Sequence, residues 1–150
     1  MYRNITKIVR NMMLFKNRKK EQEVLNETEY EMLRYITKRD KRTFSDVSGY
    51  LNVDKGLITR MSKHLSNLGY ITITNDIKDR RIKYLSATNL AKELKYDRES
   101  IENNFYDAIT KVLTEEEKVE FLRLVDKVYL ESKRLRKDSF RGIDDEIQQD

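Results

Sequence analysis

Between Thr43 and Leu85 the hydrophobic period changes once, from helical to alternating, and that switch limits the folds open to this chain. Val47, Tyr50 and Leu51 hold helix spacing after a start at Thr43-Phe44-Ser45, with Ser48 and Gly49 keeping the middle of that helix small. Asn52-Val53-Asp54 makes a three-residue link. A second helix then starts at Asp54 and must stop near Gly69, the natural left-handed position past a helix end. On a wheel of about 100° per residue, Ile58, Met61, Leu65 and Leu68 share one face, and Gly56, Thr59, Arg60, Lys63 and Asn67 share the opposite one. Next, Tyr70-Ile71-Thr72-Ile73-Thr74 and Arg81-Ile82-Lys83-Tyr84-Leu85 alternate and are rich in β-branched residues, which predicts a two-stranded hairpin. Its tip, Asn75 to Arg80, has no glycine, but Asn75, Asp76 and Asp79 can build turns through side-chain bonds to backbone.

The flanks read as helix. Ile5, Ile8, Val9, Met12 and Phe15 recur at helical spacing in a first helix whose charges are expected to face water. Asn26, followed by Glu27 and Glu29, is a cap for a helix reaching about Lys38 that buries Tyr30, Leu33 and Ile36, with Met32 and Tyr35 beside them. The polar residues Arg39 to Arg42 end it. From about Asn89, Leu94, Ile101, Phe105, Ala108, Ile109 and Val112 keep helix spacing, with Tyr96 to Ser100 as a polar interruption. Thr114 to Glu117 is a capping box for a last long helix carrying Phe121, Leu122, Val125, Val128, Tyr129 and Leu135, and the acidic tail from Asp138 is expected to fray. The fold class is mostly α, as α+β.

Composition removes whole classes of function. Without cysteine there is no disulfide, thiolate zinc site or thiol switch, and the single histidine argues against a protein-only metal cage. Four glycines in no phosphate-cradling pattern leave no dinucleotide or P-loop motif. No serine, histidine and aspartate set or carboxylate pair has supporting context, so no enzyme, cofactor or metal is expected. His64 reads as a packed or hydrogen-bonded histidine. No apolar run approaches a membrane span, which predicts a soluble, cytoplasmic protein. Hydrophobic residues make up 38% of the chain and charged residues 38%; long charged helices with so thin a core are economically completed by a second copy.

The net charge of +5 is sorted along the chain. Residues 1–20 carry Arg3, Lys7, Arg10, Lys16, Arg18, Lys19 and Lys20 without an acid, and Glu21, Glu23, Glu27, Glu29 and Glu31 follow. The predicted second short helix and hairpin hold Lys55, Arg60, Lys63, Lys78, Arg80, Arg81 and Lys83 against only Asp54, Asp76 and Asp79. Two short helices joined by a tight link, the second with a basic outer face, form the helix-turn-helix pattern, and the basic hairpin after them reads as a wing.

Two stretches, Val53-Asp54-Lys55-Gly56-Leu57-Ile58-Thr59-Arg60 and Asp76-Ile77-Lys78-Asp79-Arg80-Arg81, give the chain from about Leu25 to Leu122 a resemblance to MarR-family winged-helix transcriptional regulators. The second matches that family's D-x-x-D-R-R wing, with Leu85-Ser86 at the distance of its Leu-Thr pair. Asn89 stands where the family usually has glycine, and Gly56-Leu57 where small hydroxylated residues are frequent. The resemblance implies a homodimer binding double-stranded DNA at a pseudo-palindromic operator, as a repressor relieved by a small-molecule effector that binds between the dimerisation helices and the DNA-binding lobe. Residues 25–88 would form that lobe, 1–24 and 89–137 the dimerisation helices, and 138–150 the tail. Arg60, Lys63 and Thr59 would read bases or phosphates in the major groove, Lys55 a phosphate, and Leu57 would meet a thymine methyl or pack, beside a bare Gly56. In the wing, Arg81 is expected in the minor groove, oriented by Asp79, with Arg80 on phosphate and Lys78 among the DNA-binding residues of the tip. Two other classes stay open: a helical module that binds only another protein, and a membrane-surface protein using residues 1–20.

Overall fold

A computed structural model of the chain describes residues 2–19 and 25–147. Lys20, Glu21, Glu23 and the boundary expected at residue 24 lie outside the described residues, as does the end of the tail, 148–150. The chain divides into two compact units, one ending at Phe105 and one starting at Tyr106.

In the first unit, α1 (Arg3–Lys19) and α2 (Glu27–Ile36) lead to a short strand β1 (Arg42–Thr43), the helix pair α3 (Phe44–Leu51) and α4 (Lys55–Asn67), strands β2 (Ile71–Asn75) and β3 (Lys83–Ala87), and most of α5 (Asn89–Ile109). Polar side chains set each start. Asn26 and Glu29 form a reciprocal capping box on α2, with Glu29 N donating to Asn26 Oδ1 over 2.8 Å. Thr43 and Asp46 do the same for α3, and Asp54 accepts from Leu57 N at 2.8 Å to cap α4. Two left-handed residues set the turns: Asn52 at φ 53° closes α3, and Gly69 at φ 81° follows α4. Between the elements Met32, Leu33 and Ile36 of α2, Val47 of α3, Ile58 and Leu65 of α4, Ile71, Leu85 and Ala91 pack into one core, each almost or wholly shielded from water.

The sheet has three antiparallel strands in the order β1-β3-β2, with Ile73 opposite Leu85 and Arg42 opposite Leu85 on the other side. The expected two-stranded hairpin is β2 with β3, and β1 is a third strand that the pattern did not predict. Two residues are too few to show a period, so β1 left no trace in the pattern. The return strand also starts two residues later than its alternation suggests, because the Asp79 carboxylate takes the Arg81 amide into the turn. Two further expectations fail at charged residues. The polar stretch from Tyr96 to Ser100 does not interrupt α5, since Arg98 within it is buried with its guanidinium 3.8 Å from the Tyr30 ring centre. Lys16, expected to face water, is buried and bonds Glu102 at 2.7 Å. Phe15 of the first apolar stripe meets Phe105, with ring centres 5.8 Å apart, while Ile5, Ile8 and Val9 remain exposed.

The second unit comprises the end of α5, a 3-10 turn (Thr110–Val112), α6 (Glu115–Lys137) and α7 (Arg141–Ile147). Thr114 and Glu117 cap α6 reciprocally. None of its residues is buried, and Val119, Phe121, Leu122, Val125, Val128 and Tyr129 all stand exposed. The expected frayed tail is corrected by α7. The chain turns at Ser139 and Phe140, both with positive φ, so that Phe140 N donates to Leu135 O at 2.8 Å, and Gly142 approaches Leu135 so closely that a Cβ there would come within 3.2 Å. No helix among the described residues is long and apolar enough to cross a membrane.

Candidate nucleic-acid interface

The outward face of α4 is the one the wheel predicts. Lys55, Gly56, Thr59, Arg60, Lys63 and Asn67 are exposed, while Ile58, Met61 and Leu65 lie in the core. Thr59 Oγ1 donates to Lys55 O at 2.9 Å, which keeps its hydroxyl against the helix. A Cβ on Gly56 would fall 3.0 Å from Asp54 Oδ1, so the bare residue protects the cap of α4. Leu57 is half-buried and packs on the core.

Carboxylates build the wing tip. Asp76 Oδ1 accepts from the amides of Lys78 and Asp79 at 2.8 and 2.9 Å, and its Oδ2 accepts from the Tyr84 hydroxyl at 3.0 Å. Asp79 Oδ1 then accepts from the Arg81 amide and from its Nε, both at 3.0 Å, while Oδ2 accepts from Nη2 at 3.1 Å. The amides beside Asp76, with the Tyr84 hydroxyl, hold its carboxyl below the usual carboxylate range, and the Arg81 guanidinium does the same for Asp79. Arg81 is thus splayed in a fixed plane although its side chain is 91% exposed.

A groove of about 670 Å³ runs between α4 and the wing, bounded by Thr43, Phe44 and Ser45 at the start of α3 and by Lys55, Thr59, Lys63, Ser66, Asn67, Ile73, Arg81, Ile82 and Lys83. Four cations and no carboxylate line it. Lys55, Arg60, Lys63, Lys78, Arg80 and Lys83 are exposed and make no ion pair among the described residues. Arg60, Lys78 and Arg80 lie outside the groove lining.

Residues 25–83, the segment that builds this helix pair and most of the wing, match the MarR family model. The winged-helix lobe is a MarR-family domain. No curated protein sequence matches the chain. Among solved structures it is similar to Streptococcus pneumoniae FabT in complex with DNA (21% identity, TM-score 0.72, covering 89% of this chain and 95% of that one). It is also similar to a crystal structure of MarR (23%, 0.68, 87% and 95%). A third is Bordetella bronchiseptica BpsR (13%, 0.60, 86% and 92%), a protein whose DNA binding is regulated by 6-hydroxynicotinic acid. At these identities the likeness is one of fold.

In this MarR-family domain the sequence pattern missed Thr43, Ser45, Ser66 and Lys83 of the groove, together with the apolar Ile77, which is fully exposed at the wing tip. Thr43 carried a signal, as the hydroxyl three residues before Asp46 that marks a helix start, and so did Lys83, as one of the basic residues of the hairpin. His64, at the edge of the buried arc of α4, has its Nδ1 2.7 Å from Glu29 Oε1, so a carboxylate on α2 holds it, as the hydrogen-bonded reading required. Among the described residues no group of three or more His, Asp or Glu is placed to hold a metal ion.

Proposed function

We propose that the protein is a non-enzymatic transcriptional regulator, a repressor, that binds a pseudo-palindromic DNA operator as a homodimer in the cytoplasm. The groove between α4 and the wing carries this reading: it is concave, lined by four cations and no acid, and edged by hydroxyls and an amide that suit phosphate and base edges. Lys63 and Arg60 on α4 face the major groove and Lys55 its phosphates, Thr59 meets a phosphate once its hydroxyl turns from Lys55 O, and Arg81, held by Asp79, reaches the minor groove with Arg80 and Lys78 on the flanking backbone. The likeness to FabT, solved with DNA, supports the same placement.

Dimerisation follows from burial. An α6 that buries none of its residues within the single chain gains most by packing on a second copy; residues 1–24 and 89–137 are the dimerisation helices of this reading and 25–88 the lobe. Two lobes then meet half-sites about one helical turn apart. An effector site is offered by a polar cavity of about 270 Å³ between α1, α2 and α5, where Lys16, Tyr30, Glu31, Arg34, Glu99 and Glu102 converge. Burial pushes the Tyr30 hydroxyl up to about 12, against the nearby Arg98, so Tyr30 is a neutral donor there. The likeness to BpsR supports a small-molecule effector.

The test is a footprint. The purified chain mixed with genomic fragments at moderate salt should protect selected sites of two-fold symmetry, and Arg81→Ala should weaken protection while the dimer stays folded. Uniform or absent protection would overturn the reading.

A further inference from the structure

We propose that Glu31, Tyr50, Tyr35 and Arg42 form a strut that positions the wing for DNA, an inference that rests on the DNA-binding reading above. Arg42 lies in β1, opposite Leu85 of β3, the strand that leads out of the wing tip. Its guanidinium sits 3.9 Å from the Tyr35 ring centre. Tyr35 in turn stacks on Tyr50, with centres 4.0 Å apart and planes 1° from parallel. The Tyr50 hydroxyl donates to Glu31 Oε1 at 2.6 Å, and Arg34 fixes that carboxylate with two bonds of 3.0 and 2.6 Å. Three flat groups therefore form one column, anchored at its far end on α2.

Several observations mark the column as more than filler. A two-residue strand has little pairing to hold it in place. The two rings stack in parallel planes, and the guanidinium over the outer face of Tyr35 adds a cation–π contact to that stack. Arg42 Nε is buried without a hydrogen-bond partner among the described residues, and the stack on Tyr35 is the contact that holds that end. The preceding residue works in the other direction: Lys41 Nζ is 4.1 Å from the centre of the Tyr84 ring, whose hydroxyl bonds the Asp76 that shapes the tip. Strand β1 is thus fastened downward to α2 by Arg42 and upward to the wing by Lys41. Glu31 and Arg34 also line the cavity beside α2, so the strut ends where an effector would sit.

The experiment is a double-mutant cycle on the full-length dimer, using as probe a duplex recovered by selecting genomic fragments on the wild-type protein. Tyr50→Phe keeps the ring and deletes the bond to Glu31, which Arg34 still satisfies. It should weaken binding by about 3- to 10-fold in the wild-type background and by less than about twofold in Arg81→Ala, because a wing without Arg81 has little left to position. With Lys55→Ala, outside the wing, the losses should multiply. Arg42→Lys keeps the charge without the planar stack, and should reproduce the pattern if Tyr50→Phe fails to fold. Equal losses in the wild-type and Arg81→Ala backgrounds, or no loss in either, overturn the strut, even if the melting temperature falls. If the wild-type chain retains no duplex at all, the DNA-binding reading itself has failed.

Discussion

The most demanding test of the interface is its response to salt, because that magnitude follows from the side chains in view. Each chain presents Lys55, Arg60, Lys63, Lys78, Arg80, Arg81 and Lys83, all exposed, on α4 and the wing. If three to five of them meet phosphates, a dimer neutralises about six to ten, and the slope of log affinity against log salt is about −5 to −9. Raising monovalent salt from about 50 to about 200 mM should then weaken binding by about 10³- to 10⁵-fold. The assay is fluorescence anisotropy of a labelled selected duplex, titrated at five or more salt concentrations. Lys78→Ala supplies an internal calibration: each dimer loses two contacts, so the slope should become shallower by about 1.8. A wild-type slope shallower than about −3, or a slope that Lys78→Ala leaves unchanged, would refute the reasoning, since the groove and wing would then not be following the DNA backbone.

Three further outcomes concern folding and order. Asp76 and Asp79 are held below the usual carboxylate range by amides, Tyr84 and Arg81, so the order they give the wing is complete above the unfolded carboxylate value and is lost as pH falls through the depressed values. The backbone NMR shifts of Lys78, Asp79 and Arg81 should therefore stay constant from about pH 7 to about pH 4 and move only below that; a transition near pH 5.5 would contradict the geometry. Leu33→Ala empties a fully buried position and should cost about 2–5 kcal/mol in urea unfolding with the slope unchanged. Gly69→Ala makes no clash, an added Cβ standing 3.9 Å from Leu90 Cδ2 in ordinary van der Waals contact, so its expected loss of about 1–2 kcal/mol measures the left-handed backbone, and a neutral result would show that the turn relaxes.

The sequence was most informative where one period or one cap acts locally. Ile58, Met61 and Leu65 face inward, and Thr59, Arg60 and Lys63 outward, as the 3.6-residue repeat requires. Asn26, Thr43 and Thr114 mark helix starts because their partners lie three residues on. What the pattern concealed depends on distant partners. Arg98 looked like part of a helix break, yet it is a buried cation whose ring, Tyr30, lies far away in sequence. Lys16 belongs to the same case, through Glu102. The cationic groove was legible residue by residue, from Lys55 to Arg81, but its floor was not, since Ser66 and Lys83 join it only once the sheet is folded against α4. Just before α7, two successive residues of positive φ, Ser139 and Phe140, reverse a chain whose acidic composition suggested nothing beyond a loose end.

The contact between Asp79 and Arg81 divides the labour of binding in time. A guanidinium 3.0 Å from a carboxylate is, beyond a few ångströms, closer to a dipole than to a charge, and it adds little to the long-range pull on an approaching duplex. The unpaired Lys55, Arg60, Lys63, Lys78, Arg80 and Lys83 supply that pull and set how fast the complex forms. Arg81 acts only once its plane is within bonding distance of DNA, so replacing Arg81 and Asp79 together, which leaves the net charge unchanged, should shorten the lifetime of the complex while leaving the rate of encounter almost unchanged.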